Sequence, residues 1–123
     1  MLAERSTRRD ATAPAARVAG ALAAIFLTLG GPAARADEAL ARASRCDSCH
    51  AEGRKLIGPA YAAIAERYRG RPEAAQVLVV KIRQGGAGSW GAVPMPANTH
   101  VGEADARRLV AWILARPRPD GRR

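Results

Sequence analysis

The chain has 123 residues, enough for one domain, with 20 Lys and Arg against 11 Asp and Glu and a formal net charge of +9. Such an excess of base points to acidic partners or anionic surfaces. Two cysteines and two histidines leave too few ligands for a four-cysteine zinc centre.

The opening third does not read as part of the domain. Arg5, Arg8, Arg9 and Arg17 precede an uncharged run from Val18 to Leu29, and Ala34-Arg35-Ala36 follows as a small-x-small cleavage site. This is the layout of a secretory signal peptide over residues 1–36, cleaved after Ala36. The run of 12 residues falls short of the roughly 20 that cross a bilayer as a helix, so no stable membrane insertion is expected after cleavage. Arg8-Arg9 is a twin arginine, but Asp10 and Ala11 follow where apolar residues belong, and a folded-export signal is poorly supported. The mature chain, Asp37 to Arg123, carries 15 basic and 9 acidic residues, a charge of +6. A domain of residues 37–117 buries little core by itself and calls for a staple.

Asp37 to Arg45 is expected to be a helix with its acidic residues in the first turn and a narrow face of Leu40, Ala43 and Ser44. Cys46-Asp47-Ser48-Cys49-His50 follows, a C-x-x-C-H sequence. Two thiols three positions apart can add to the two vinyl groups of one haem, and the next histidine is then held under the iron at high effective concentration. A thioredoxin-like redox pair expects a βαβ context and requires no histidine at that position. A disulfide closing so small a loop would stabilise almost nothing. The motif therefore predicts one covalently attached haem c, with Cys46 and Cys49 as its thioether anchors and His50 as an iron ligand.

Ala51 to Ile57 reads as loop. Gly58-Pro59 is expected to open a helix running to Gly70 through Tyr61, Ile64, Ala65 and Tyr68. Glu73 to Gln84 contains Val77-Leu78-Val79-Val80, which suits a buried strand, but its length, alanine-rich start and terminal Gly85-Gly86 favour helix. Gly85 to Val101 has four glycines, two prolines and no helical period, and is expected to be an irregular loop. Seventeen structureless residues in so small a domain need a purpose. Ala106, Leu109, Val110, Ile113 and Leu114, widened by Trp112, mark an amphipathic helix from Glu103 to Arg116, ended by Pro117; residues 118–123 form a basic tail expected to fray.

The iron's other side has few candidate ligands. Met95, the only methionine left after the leader is removed, lies between Pro94 and Pro96, which hold its backbone extended and help to present a thioether. A single methionine can also simply fill a gap in a core. His100, five residues further on, is the rival; a thioether would favour ferrous iron and raise the potential, whereas a second imidazole would leave it lower.

Cys46 to His50, Ile57-Gly58-Pro59-Ala60-Tyr61, Lys81-Ile82 and Ser89-Trp90-Gly91-Ala92-Val93-Pro94-Met95-Pro96 together resemble the small bacterial class I cytochromes c, above all the short periplasmic carriers that donate to nitrite reductases and terminal oxidases. The resemblance covers Asp37 to Ala115. It implies an all-α fold of about four short helices around one haem, with His50 and Met95 as axial ligands. It further implies that the Pro59 carbonyl accepts from the His50 ring, that Trp90 and Lys81 stand near haem propionates, and that Asn98 bonds near the sulfur of Met95. The chain departs from the family in lacking an aromatic in the first helix, in an extra residue around Thr99-His100, and in Gly102 where a better N-cap belongs. The first of these suggests looser packing on Leu109, Trp112 and Ile113.

With both axial positions filled, no open site remains for a substrate. The expectation is a monomeric periplasmic electron carrier, not an enzyme, that serves redox proteins with acidic docking faces between a quinol-oxidising complex and a terminal reductase or oxidase, with no role for nucleic acid. A haem subunit of a larger periplasmic oxidoreductase complex, or a ligand-binding sensor with a weak sixth ligand, are the alternatives.

Overall fold

The apolar period of the last helix organises the core. In the computed structural model, which describes residues 31–118, the order is α1 (Pro32–Ala43), a 3-10 turn (Cys46–Ser48), α2 (Tyr61–Tyr68), α3 (Ala74–Gln84), β1 (Gly86–Gly88), β2 (Gly91–Met95) and α4 (Glu103–Leu114). Helix α4 packs against α1, α2 and α3. Its Leu109 and Val110 are almost wholly buried, each worth about 2 kcal/mol of transfer free energy. The expected leader, up to Gly30, and the tail from residue 119 onward lie outside the described residues. Among those described, no helix is long and apolar enough to cross a membrane.

Four helices form as expected, but their ends differ. Helix α1 begins at Pro32, because proline needs no donor in a first turn, so Asp37 and Glu38 lie in its second turn. Cleavage after Ala36 would therefore fall inside this helix. There Asp37 accepts from Arg108 of α4 at 2.8 Å, and Glu38 pairs with Arg42. The helix stops at Ala43, short of Arg45, whose φ of 62° is left-handed and turns the chain into the 3-10 segment. Its inner face is Leu40, Ala41 and Ser44; Ala43 is exposed. Nor does the missing aromatic leave α1 loose. Ala41 is 3% exposed and Ala106 on α4 is 0% exposed, so small residues let the two backbones approach.

Pro59 does not open α2. The helix starts at Tyr61 because the N–H groups of Tyr61 and Ala62 donate to the carbonyls of Ala51 and Glu52, at 2.9 and 3.0 Å. Backbone from the preceding loop thus satisfies donors that a side-chain cap would otherwise take. Helix α3 buries Ala74, Leu78, Val79 and Ile82 and exposes Val77 and Val80, a helical alternation within the run that also suited a strand.

The segment expected to be an irregular loop contains an antiparallel hairpin, with Gly86 opposite Met95, Gly88 opposite Gly91 and a bulge between them. Both strands are exposed nearly throughout, so no apolar alternation announced them. Gly86, Gly88 and Gly91 take positive φ there, which glycine alone adopts readily. Helix α4 ends at Leu114, two residues before Arg116, and its N-cap Gly102 makes no side-chain capping bond.

Candidate haem site

The attachment motif is shaped by its own backbone. After Arg45 turns the chain, the N–H groups of Cys49 and His50 both donate to the Cys46 carbonyl, at 3.1 and 3.0 Å. The loop beyond folds back, with Gly58 N–H donating to the Cys49 carbonyl at 2.8 Å. Cys46, Cys49 and His50 thereby line one wall of a cavity of about 400 Å³. The lining also includes Met95, and α2, α3 and α4 contribute apolar side chains such as Ile64, Ile82, Leu109 and Ile113.

His50 is held on three sides. Its Nδ1 lies 2.7 Å from the Pro59 carbonyl; a carbonyl only accepts, so Nδ1 carries the proton and Nε2 is left with a free lone pair. Tyr61 stacks on the ring at 5.6 Å, and Trp112 meets Tyr61 edge-on at 5.0 Å. Gly58 completes the seat: a Cβ there would lie 2.5 Å from His50 Cε1 and 2.9 Å from Nδ1. That role was visible in the sequence only as the Gly-Pro pair, which reads equally as a helix opener. Burial pushes the Tyr61 hydroxyl far above its ordinary range, with the charges of Cys46 and Asp47 adding to the shift, so it stays protonated.

Met95 ends β2, half-buried against the core between its two prolines. Gly85, at φ 69°, packs so closely beneath this segment that a Cβ would collide with the Met95 carbonyl and come within 2.8 Å of the Ala97 nitrogen. Asn98 is tied to the same stretch. Its amide donates to the carbonyls of Ile82 at 3.0 Å and Pro96 at 3.3 Å. Lys81 and Trp90 line the cavity, the indole 40% exposed. His100 lies exposed in the turn before α4 and is not part of the cavity lining.

These residues fit a haem. The cavity is mainly apolar, of ligand-binding size, bordered by two thiols three positions apart and carrying one imidazole whose outer nitrogen is already fixed. The thiols suit attachment better than disulfide exchange. A redox C-x-x-C pair works through a thiol of lowered pKa, whereas burial, and then the charge of Asp47, push the Cys46 thiol up.

Comparison with known proteins agrees. The family described as Cytochrome c matches residues 34–116. Cytochrome c-551 of Allochromatium vinosum is 49% identical over 83 residues, 68% of this chain and 88% of that protein. Cytochrome c-552 of Nitrosomonas europaea is 43% identical over 95 residues, 77% and 91% of the two. The crystal structure of wild-type Nitrosomonas europaea cytochrome c552 superposes with a TM-score of 0.63 at 42% identity, over 64% of this chain and 98% of that one. The class 1 cytochrome MtoD of Sideroxydans lithotrophicus ES-1 gives 0.58 at 28% identity, over 66% and 92%. The chain belongs to the cytochrome c family, as a small monohaem class I electron carrier of the c-551 and c-552 kind with haem c attached covalently through its C-x-x-C motif, and it is not an enzyme.

Proposed function

We propose that the protein is an exported periplasmic carrier taking single electrons from a membrane quinol-oxidising complex to a terminal reductase or oxidase, with His50 and Met95 as axial ligands of the haem iron. The observation that carries this reading is that both side chains line the one cavity whose wall holds the attachment cysteines. Bound there, the haem supplies a one-electron ferric–ferrous couple. His50 contributes Nε2, its ring set by the bond to Pro59. Met95 contributes a soft thioether that favours the ferrous state. Lys81 and Trp90 line the same cavity and would receive the propionates, while Asn98 and Gly85 hold the methionine segment.

Electrons leave through the rim, where Ile57 and Val93 are 61% and 65% exposed although both line the cavity. Apolar side chains at that edge let a partner approach closely without displacing tightly held water. The net charge of +6 on the domain expected after leader removal favours partners with acidic docking faces.

Spectroscopy and mass test the reading directly. The purified protein should have a mass equal to residues 37–123 plus one haem, run as a monomer on gel filtration, and show a methionine–iron charge-transfer band when oxidised. Met95→Ala should abolish that band and open the reduced protein to rapid carbon monoxide binding, whereas His100→Ala should change neither. Rapid carbon monoxide binding by the unaltered protein would favour the sensor reading, and a complex larger than the domain would favour an oxidoreductase subunit.

A further inference from the structure

The hairpin has little of its own to hold it. Its strands are three and five residues long, exposed nearly throughout, interrupted by a bulge and rich in glycine. A two-stranded ribbon of this kind is marginal in water, and each glycine ordered in it costs more backbone entropy than another residue would. Yet it supplies one wall of the haem cavity, from Gly86 through Trp90 to Met95. Its base is secured by Gly85 beneath Met95 and by Asn98 on Ile82. Its tip, Ser89-Trp90, lies beyond the reach of both.

Among the described residues, the side-chain hydrogen bond to that tip comes from Arg67. Arg67 projects from the last turn of α2, a helix anchored in the core through Tyr61, Ile64, Ala65 and Tyr68. Its guanidinium donates to the Ser89 carbonyl and lies 4.5 Å from the centroid of the Trp90 ring. A planar cation can serve a carbonyl and an aromatic face together, which an ammonium on a flexible stem does poorly.

We propose that Arg67 is a positioning residue that latches the hairpin tip to α2, and through the hairpin keeps Met95 on the iron. The inference rests on Met95 being a ligand. Released from the latch, the β2 strand lifts away more often and carries the Met95 thioether with it; with a haem bound, each opening would leave the ferric iron accessible to an external ligand, with no change of oxidation state.

The test compares holoprotein with Arg67→Gln, Arg67→Lys and, as a control, Arg71→Gln. Arg71 is another cation by the same helix end, but it lies 5.7 Å from the Tyr68 ring and not on the hairpin. Two quantities are read: the rate of imidazole binding to the ferric protein, and amide hydrogen exchange over residues 88–93. Arg67→Gln should raise both about tenfold, Arg67→Lys by less, and Arg71→Gln should leave both unchanged. Equal values for Arg67→Gln and Arg71→Gln overturn the latch. Should Arg67→Gln yield no holoprotein, Arg67→Lys decides, and wild-type behaviour in both measurements overturns the proposal. If the unaltered protein shows no methionine–iron band, it is the ligand assignment that fails, and hydrogen exchange still decides whether Arg67 latches the hairpin.

Discussion

A hydrogen atom where other residues carry a methyl group lets the His50 ring lie against residue 58. Because the same ring donates to Pro59, moving it by even a few tenths of an ångström lengthens a 2.7 Å hydrogen bond and misdirects Nε2. Gly58→Ala would place a carbon 2.5 Å from Cε1, so ring or loop must shift. We expect a loss of about 1–3 kcal/mol in denaturant melts of the holoprotein. Gly102→Ala, where a Cβ meets nothing within 4 Å and the position lies off the cavity lining, should lose less, staying within about 1 kcal/mol of wild type. Equal midpoints for the two variants would show that Gly58 does not seat the ring. The motif and Met95 were legible because the types of residue that bind haem are few; Gly58 was not, since a missing atom matters only once its neighbour's position is known.

At the scale of elements, apolar period revealed four helices but not where they end. Periodicity reports which face is buried over several turns, whereas an end depends on what satisfies a few backbone groups. For α2 those partners are the carbonyls of Ala51 and Glu52, supplied by a loop whose path comes from the motif before it. The N-terminus of α4 relies on charge, since Gly102 makes no side-chain cap. Glu103 accepts from Arg107 at 2.6 and 3.1 Å, and this bond, with the charges of Arg107 and Arg83, holds its carboxyl below the usual range. A carboxyl depressed on folding adds stability above its unfolded pKa and loses it as pH falls through the folded value. Glu103→Gln should therefore melt slightly below wild type at pH 7, with the gap closing at pH below the carboxylate range. A gap independent of pH would mean that the ion pair contributes nothing; the exposure of both side chains keeps the effect small.

For the molecule as a whole, charge and haem edge act together. Of the eight ion pairs among the described residues, most are exposed, as with Arg42 and Glu38, and such pairs add little stability. The net excess of base is more telling as a long-range field. It predicts that association with an acidic redox partner slows by on the order of tenfold between low salt and physiological ionic strength, as the Debye length falls from about 30 to about 8 Å. A rate indifferent to salt, measured by stopped-flow, would place recognition in the apolar rim of Ile57 and Val93 alone. The chain's sequence determined by itself the cofactor, its anchors, the candidate ligands and the helical class, because each is a matter of residue type at short spacing or of regular period. Only the tertiary structure decided that the Met95 segment is a hairpin, that Gly58 seats the histidine and Gly85 the methionine strand, and that Arg67 reaches the hairpin tip. Each of these is a contact between residues distant in sequence or an absent side chain at a close approach, and neither leaves a periodic signal in the chain.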